Sequence, residues 1–339
     1  MPISEAHPHR ALIPPVAGQT PRPLWSVMIP TYHCARYLRA TLEHLLAQDL
    51  GPQLMQIEVV DDHSTADDPE SVVAEVGQGR IGFYRQPHNV GHIANFTTCL
   101  RWSCGQLVHL LHGDDYVLPG FYDRLQCAFD QQPAIGAAFC RQIFMDMHGH
   151  WQAFSPLEEQ TSGVLVDGLE RLALEQRIMT PSVVVRRSVY EQLGSFDQRL
   201  VCAEDWEMWV RIAAHYPIWY EVEPLAVYRM HDASNTGRHV RSGEDARYNC
   251  LAIDLFSAYL PPHRAASIVG QAKETYALSA LHTANLLSSK RDWVAVWAQV
   301  REAWRCRCSW RILAQTVRTL ARGVINRLRP VIGKKVVET

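Results

Sequence analysis

Four short stretches of this 339-residue chain concentrate side chains able to do chemistry. LLHGDDYVLPG, residues 110–120, ends an apolar run on His112 and two neighbouring carboxylates, Asp114 and Asp115. Adjacent like charges repel, and a carboxylate stays ionised there only beside positive charge or hydrogen-bond donors. A solvated turn meets that need, and so does a bound cation. EVVDDHS repeats the arrangement with Asp61 and Asp62, which either cap their own backbone in an Asx-turn or accept from a ligand. AEDWEMWVRIA puts Glu204 and Asp205 ahead of Trp206, Trp209, Val210 and Ala213, which are spaced for one buried helical face. Acids in a first helical turn are stabilised by the macrodipole, so this pair has a structural explanation as well as a chemical one. YRMH adds Arg229 and His231: a guanidinium fork fits phosphate, and imidazole binds transition metals.

The elements that position these groups alternate. Trp25–Pro30 reads as a strand, followed by a helix over about 36–48. MQIEVV (55–60) is a second strand with a polar helix near 69–77, and IGFYR (81–85) a third. The loop QPHNVGH, with Asn89 and a turn-forming Gly91, leads into a helix near 92–103. QLVHLLH (106–112) and AIGAAFC (134–140) complete the series, with Pro119 opening a helix between them. Strands and helices alternating at this spacing imply βαβ units and a mostly parallel sheet. The apolar runs lack in/out alternation, as strands covered on both faces should. In such sheets ligands sit beyond the carboxyl ends of the strands, and Thr31-Tyr32, Asp61-Asp62 and Asp114-Asp115 all fall there. After residue 150 come a strand-like TPSVVVR, the helix at 204–216 and two closing strands, PIWYEV and PLAVYRMH; beyond Gly243 the pattern is helical.

Composition is that of a globular protein, 47% hydrophobic and 20% charged, with a net charge of −2. The charge is uneven: twelve Lys or Arg stand against three acids from Lys290 onward, which suggests an anionic surface as partner. Nucleic acid is not among the expected partners. Nine cysteines form no CxxC pairs and read as small buried hydrophobes of a reducing, cytosolic-facing protein. Residues 1–24, with six prolines, read as a flexible leader, and no run approaches the length of a membrane span.

Taken in order, SVMIPTYHCARYL, EVVDDHS, HGDDYVLPG, LGSFD, AEDWEMWVRIA and YRMH resemble the family 2 glycosyltransferases, inverting enzymes of the GT-A fold, over about residues 25–235. The resemblance implies a Rossmann-like α/β domain of the nucleotide-diphospho-sugar transferase type; the helical region at 243–339 lies outside it. It implies transfer of a sugar from a nucleoside diphosphate, UDP first among them, to a hydroxyl of a glycan or lipid-linked acceptor in surface-polysaccharide synthesis. Pro30, Thr31, Asp61, Asp62 and Asn89 then hold the nucleoside, Asp61 more firmly than Asp62. Asp114 binds Mn²⁺ or Mg²⁺, ions that take carboxylate and phosphate oxygens; Asp115 and His231 join that shell or touch donor groups. The family usually carries an acid where His112 stands, so the motif here is HxD. Asp205 becomes the general base and Glu204 binds acceptor or orients the base.

The tail is read from spacing alone. Trp310, Leu313, Val317, Leu320, Val324 and Leu328 form an apolar stripe, with Arg311, Arg318, Arg322 and Arg329 on the other side and Arg327 apart from them. Such a helix either lies in an anionic membrane interface or packs its stripe on the catalytic domain. Two rival functions are a non-catalytic scaffold that binds a nucleotide sugar or a membrane, and a sugar-1-phosphate nucleotidyltransferase; the latter lacks support because PTYHCARYL has no glycine.

Overall fold

The computed structural model describes residues 8–18, 22–231 and 239–328, the last six by backbone. Strand β1 (Trp25–Thr31) is buried along its whole length. Trp25, Val27 and Ile29 face one way, into a cluster with Leu38, Leu42 and Leu45 of α1 (Ala35–Leu46) and Phe121 and Leu125 of α4 (Phe121–Gln131). Met28 faces the other way, toward Phe96 and Leu100 of α3 (His92–Trp102). The alternation along one strand therefore makes two cores, and each fully buried leucine contributes about 2 kcal/mol to holding a helix on the sheet.

On one side β1 pairs in parallel with β2 (Met55–Asp61), which pairs with β3 (Gly82–Arg85); α2 (Pro69–Gly77) connects the latter two. The chain then returns through α3 and lays β4 (Leu107–Leu110) on the opposite side of β1. At that reversal the connections leave in opposite directions, and a crevice opens at the carboxyl ends of β1 and β4. Beyond β4 the sheet continues with β9 (Val183–Arg186), antiparallel, then β6 (Ala137–Met145), β10 (Ile218–Arg229) and β5 (Tyr116–Val117). β7 (Trp151–Phe154) pairs with β6 and β8 (Gly163–Val164) with β10. Helices α5 (Gly168–Leu174), α6 (Arg187–Leu193) and α7 (Glu204–Ala213) complete this part.

Four expectations change. PIWYEV and PLAVYRMH form one strand, β10, whose register against β6 shifts around Glu221, Pro224 and Ala226; proline has no N–H for the ladder, so a bulge absorbs it. Part of the expected flexible leader is docked: Ile13 is 2% exposed, Arg10 pairs with Asp197 at 3.5 Å and Glu207 at 3.0 Å, and the carbonyl of Pro14 accepts from Arg187. Cys250 and Cys306 form a disulfide, while the other seven cysteines are free. The helical region, α8 (Glu244–Phe256), α9 (Pro262–Ser289), α10 (Trp293–Cys306) and α11 (Trp310–Leu328), shares a core with α7: Trp206 stacks on Tyr276 and meets Phe256 edge-on.

Helix α11 does not pack its expected apolar stripe on the catalytic domain. It packs inward through Ile312, Thr316 and Thr319, and leaves Trp310, Leu313 and Val317 exposed beside the exposed Arg311, Arg318 and Arg322. The side chains of Val324, Arg327 and Leu328, and all of Arg329, lie outside the described residues. Among the described residues no helix is long and apolar enough to cross a membrane.

Behind α7 lies a buried ionic cluster. Arg211, 1% exposed, donates to Glu207 at 3.0 Å and to the carbonyls of Leu193 and Ser195. Removing one member of such a cluster leaves the others without compensation. Arg211→Ala should therefore lower the unfolding free energy by about 3 kcal/mol, read from urea denaturation midpoints; an unchanged midpoint would show the cluster to be dispensable.

Candidate active site

The crevice at the ends of β1 and β4 opens into a cavity of about 590 Å³, a size suited to a small-molecule ligand. Pro30, Thr31, Asp62, Asn89, Asp114, Glu204, Asp205, Arg229 and His231 all line it. Residues separated by up to 200 positions thus meet at the edge that the sheet topology predicts.

The two carboxylates after β2 divide. Asp61 is fully buried and its oxygens accept from Arg85 Nε at 2.8 Å, Ser64 N at 2.9 Å, Ser64 Oγ at 2.6 Å and Thr31 Oγ1 at 3.3 Å. It is not among the residues that line the cavity, and those donors occupy it. Asp62 is on the wall and takes Val90 N at 2.7 Å, Gly91 N at 3.0 Å and Asn89 Nδ2 at 3.0 Å. Burial raises the Asp62 carboxyl above its ordinary range, against the pull of the two backbone donors. Gly91, with φ +85, is the residue that lets this loop turn back onto Asp62.

Gly113 is demanded by close approach. A Cβ there would lie 2.6 Å from Thr31 Cγ2 and 2.8 Å from Cys34 Sγ, so the turn after β4 seats against the end of β1 only without a side chain. Thr41 reinforces the contact by donating to the carbonyls of Asp115 at 2.7 Å and Gly113 at 3.1 Å.

Asp114 and Asp115 are held from β10. His231 Nε2 lies 2.9 Å from Asp114 Oδ2, and Arg229 Nε donates to the Asp114 carbonyl at 3.0 Å. Burial opposes ionisation of Asp114, but the His231 hydrogen bond and the fields of His112 and His231 outweigh it and hold its carboxyl below the usual range. Asp115 Oδ1 accepts from Arg229 N at 2.7 Å; burial, then the charge of Asp114, pushes its carboxyl well up. The Arg229 guanidinium stacks on Tyr37, its carbon 4.4 Å from the ring centre. His112 stacks on Phe96, and burial pulls its pKa down despite the neighbouring acids. One ligand atom each from His112, Asp114 and Asp115 lie within 4.8 Å of one another. Asp115 Oδ2 and His112 Nε2 are buried with no hydrogen-bond partner among the described residues. Two carboxylates and a neutral imidazole with idle acceptor positions fit a hard divalent cation.

Ala203, in the left-handed region (φ 62), caps the start of α7, which also borders the cavity. Asp205 accepts from Trp206 N at 2.7 Å, from Gln176 Nε2 at 2.8 Å and from Thr180 Oγ1 at 3.4 Å. Burial first, and the charge of Glu204 second, push its carboxyl up to about 7. Glu204 lies 3.1 Å from His92, whose pKa rises because the acids facing it, Glu204 foremost, outweigh burial. A carboxyl poised near neutrality in a pocket is suited to proton transfer.

His92, Gln176, Asp245 and Asn249 also line the cavity and were not singled out in the sequence. His92 follows Gly91 directly, a position that a helix-start argument marks. Gln176 lies in an irregular stretch and the other two on α8, with no local signal.

Residues 26–194 match the model of glycosyl transferase family 2. The chain belongs to that family and is a glycosyltransferase with a GT-A fold. Among its relatives is an uncharacterised glycosyltransferase of Rickettsia typhi, 24% identical over 226 residues, 66% of this chain and 69% of that protein. Among solved structures, residues 1–349 of S. aureus TarS in complex with UDP-GlcNAc superpose with a TM-score of 0.62 at 16% identity, covering 89% of this chain and 88% of that one. The mannosyltransferase PcManGT from Pyrobaculum calidifontis, in complex with GDP-Man and Mn²⁺, gives 0.56 at 17% identity, covering 95% and 86%.

Proposed function

We propose that the chain transfers a hexosyl or N-acetylhexosaminyl group from a nucleoside diphosphate, UDP first among the candidates, to a hydroxyl of a glycan or lipid-linked acceptor, with inversion at the anomeric carbon. The observation that carries this reading is the presence of Asp114 and Asp205 together on the lining of one cavity. The first is held ionised and the second is poised near neutrality.

In this reading the nucleoside lies along Pro30, Thr31, Asp62 and Asn89, with the diphosphate toward Asp114 and Arg229. His112, Asp114 and Asp115 would hold Mn²⁺ or Mg²⁺, with His231 fixing Asp114; when bound, the ion supplies positive charge to the departing diphosphate. Asp205 takes the proton of the acceptor hydroxyl while that oxygen bonds to the anomeric carbon. The bond from that carbon to the phosphate oxygen breaks with its electron pair going to the phosphate. Attack from the side opposite the leaving group inverts the centre. Gln176 and Thr180 keep the Asp205 carboxylate oriented, and Glu204, anchored by His92, faces the acceptor. One base suffices because a nucleoside diphosphate leaves without protonation, unlike the leaving group of a glycosidase.

Calorimetry with UDP, GDP and dTDP, with and without Mn²⁺, should give micromolar binding of one nucleotide that chelation abolishes. Asp114→Ala should lose the metal-dependent part, and binding indifferent to both metal and Asp114 would exclude this arrangement. Asp205→Asn should reduce turnover by roughly 10²–10⁴-fold while sparing donor binding. The active form has Asp205 deprotonated, so kcat/KM should rise with pH through about 7. Glu204→Gln removes a negative charge that raises the pKa of Asp205 and should shift that limb to lower pH; a limb unmoved by this change would assign it to another group.

A further inference from the structure

We propose that the outer face of α11 docks on an anionic lipid surface, so that the enzyme works as a peripheral protein at a membrane interface. The helix has two faces left over after packing. Ile312, Thr316 and Thr319 are spent against the rest of the helical region, all at or below 8% exposure. Trp310, Leu313 and Val317 are exposed by 76, 43 and 58%. At about 100° per residue these three span roughly 60° of the circumference, and Arg311, Arg318 and Arg322 span roughly 40° centred about 130° round the helix from them.

The occupant of that surface must be apolar in one direction and negatively charged beside it. Between Trp310 and Leu328 there is no Asp or Glu, and among the described residues the arginines gain little compensation: Arg311 lies 3.9 Å from Glu274 and is 75% exposed. A second copy meeting the stripe face to face would bring these arginines together with no acid on either helix to offset them. A bilayer interface supplies both requirements in one layer, acyl chain for Trp310, Leu313 and Val317 and anionic headgroups for the arginines. Tryptophan also favours that depth, since its ring is apolar and its N–H stays within reach of polar headgroups.

The test uses the full chain and sedimentation with vesicles of phosphatidylcholine alone or with one-third phosphatidylglycerol. The protein should pellet with the anionic vesicles, weakly with the neutral ones, and less as salt rises. Each basic residue near an anionic surface is worth roughly five-fold in partitioning, so R311Q/R318Q/R322Q together should weaken binding on the order of 100-fold. W310S/V317S should weaken it as well. Both variants alter exposed side chains and should keep the wild-type melting temperature and nucleotide binding. Failure of the folded wild type to bind anionic vesicles overturns the proposal, as does equal binding by the triple-arginine variant. A concentration-dependent dimer dissolved by W310S/V317S, without vesicle binding, would assign the stripe to a second copy instead.

Discussion

Two adjacent carboxylates at the end of a central strand are the constraint around which this site is built. Buried like charges destabilise each other unless neighbouring groups separate their behaviour. Here β10 does so: the backbone N–H of Arg229 holds Asp115 and its guanidinium holds the Asp114 carbonyl, while His231 bonds the Asp114 side chain. The long strand that closes the sheet is thereby fastened to the turn after β4. Thr41 ties the same turn to α1, and the missing side chain at Gly113 lets it approach Thr31. The charge problem and the joining of the two halves of the sheet have one solution.

The Asp205 part of the cavity lining depends on a different kind of support. Asp205 sits in the first turn of α7, and its height in the cavity is set by what lies behind that helix. Glu207 and Arg211 lock α7 to the carbonyls of the preceding loop, Arg10 reaches the same cluster from the N-terminal segment, and Trp206 is clamped by Phe256 and Tyr276 from the helical region. Family resemblance stops short of these helices, yet Asp245 and Asn249 from α8 reach the cavity. The helical region therefore contributes to the cavity lining.

Much of this was legible in the chain. The apolar runs, the helix between each pair of them and the polar residues at their carboxyl ends follow from local pattern, and they identify the edge where Thr31, Asp62 and Asp114 meet. What escaped is long-range. The Gln176–Asp205 bond joins residues 29 positions apart, and nothing in either neighbourhood encodes the partner. The Arg85–Asp61 ion pair, which joins neighbouring strands, is another such contact. The docked N-terminal segment and the two-residue β8 are stabilised by tertiary contacts, so composition and periodicity give them no signal. For α11 the periodicity grouped Trp310, Leu313 and Val317, which the structure leaves exposed, but could not tell which face the protein would cover.

The most direct test of the central claim, that one cavity holds both donor and base, is a crystal structure of the chain with UDP or GDP and Mn²⁺. The account predicts the nucleoside along Thr31 and Asp62, the diphosphate beside Asp114 and His112, and the open end of the diphosphate directed at Asp205. A nucleotide bound elsewhere, or one whose diphosphate points away from Asp205, would contradict it.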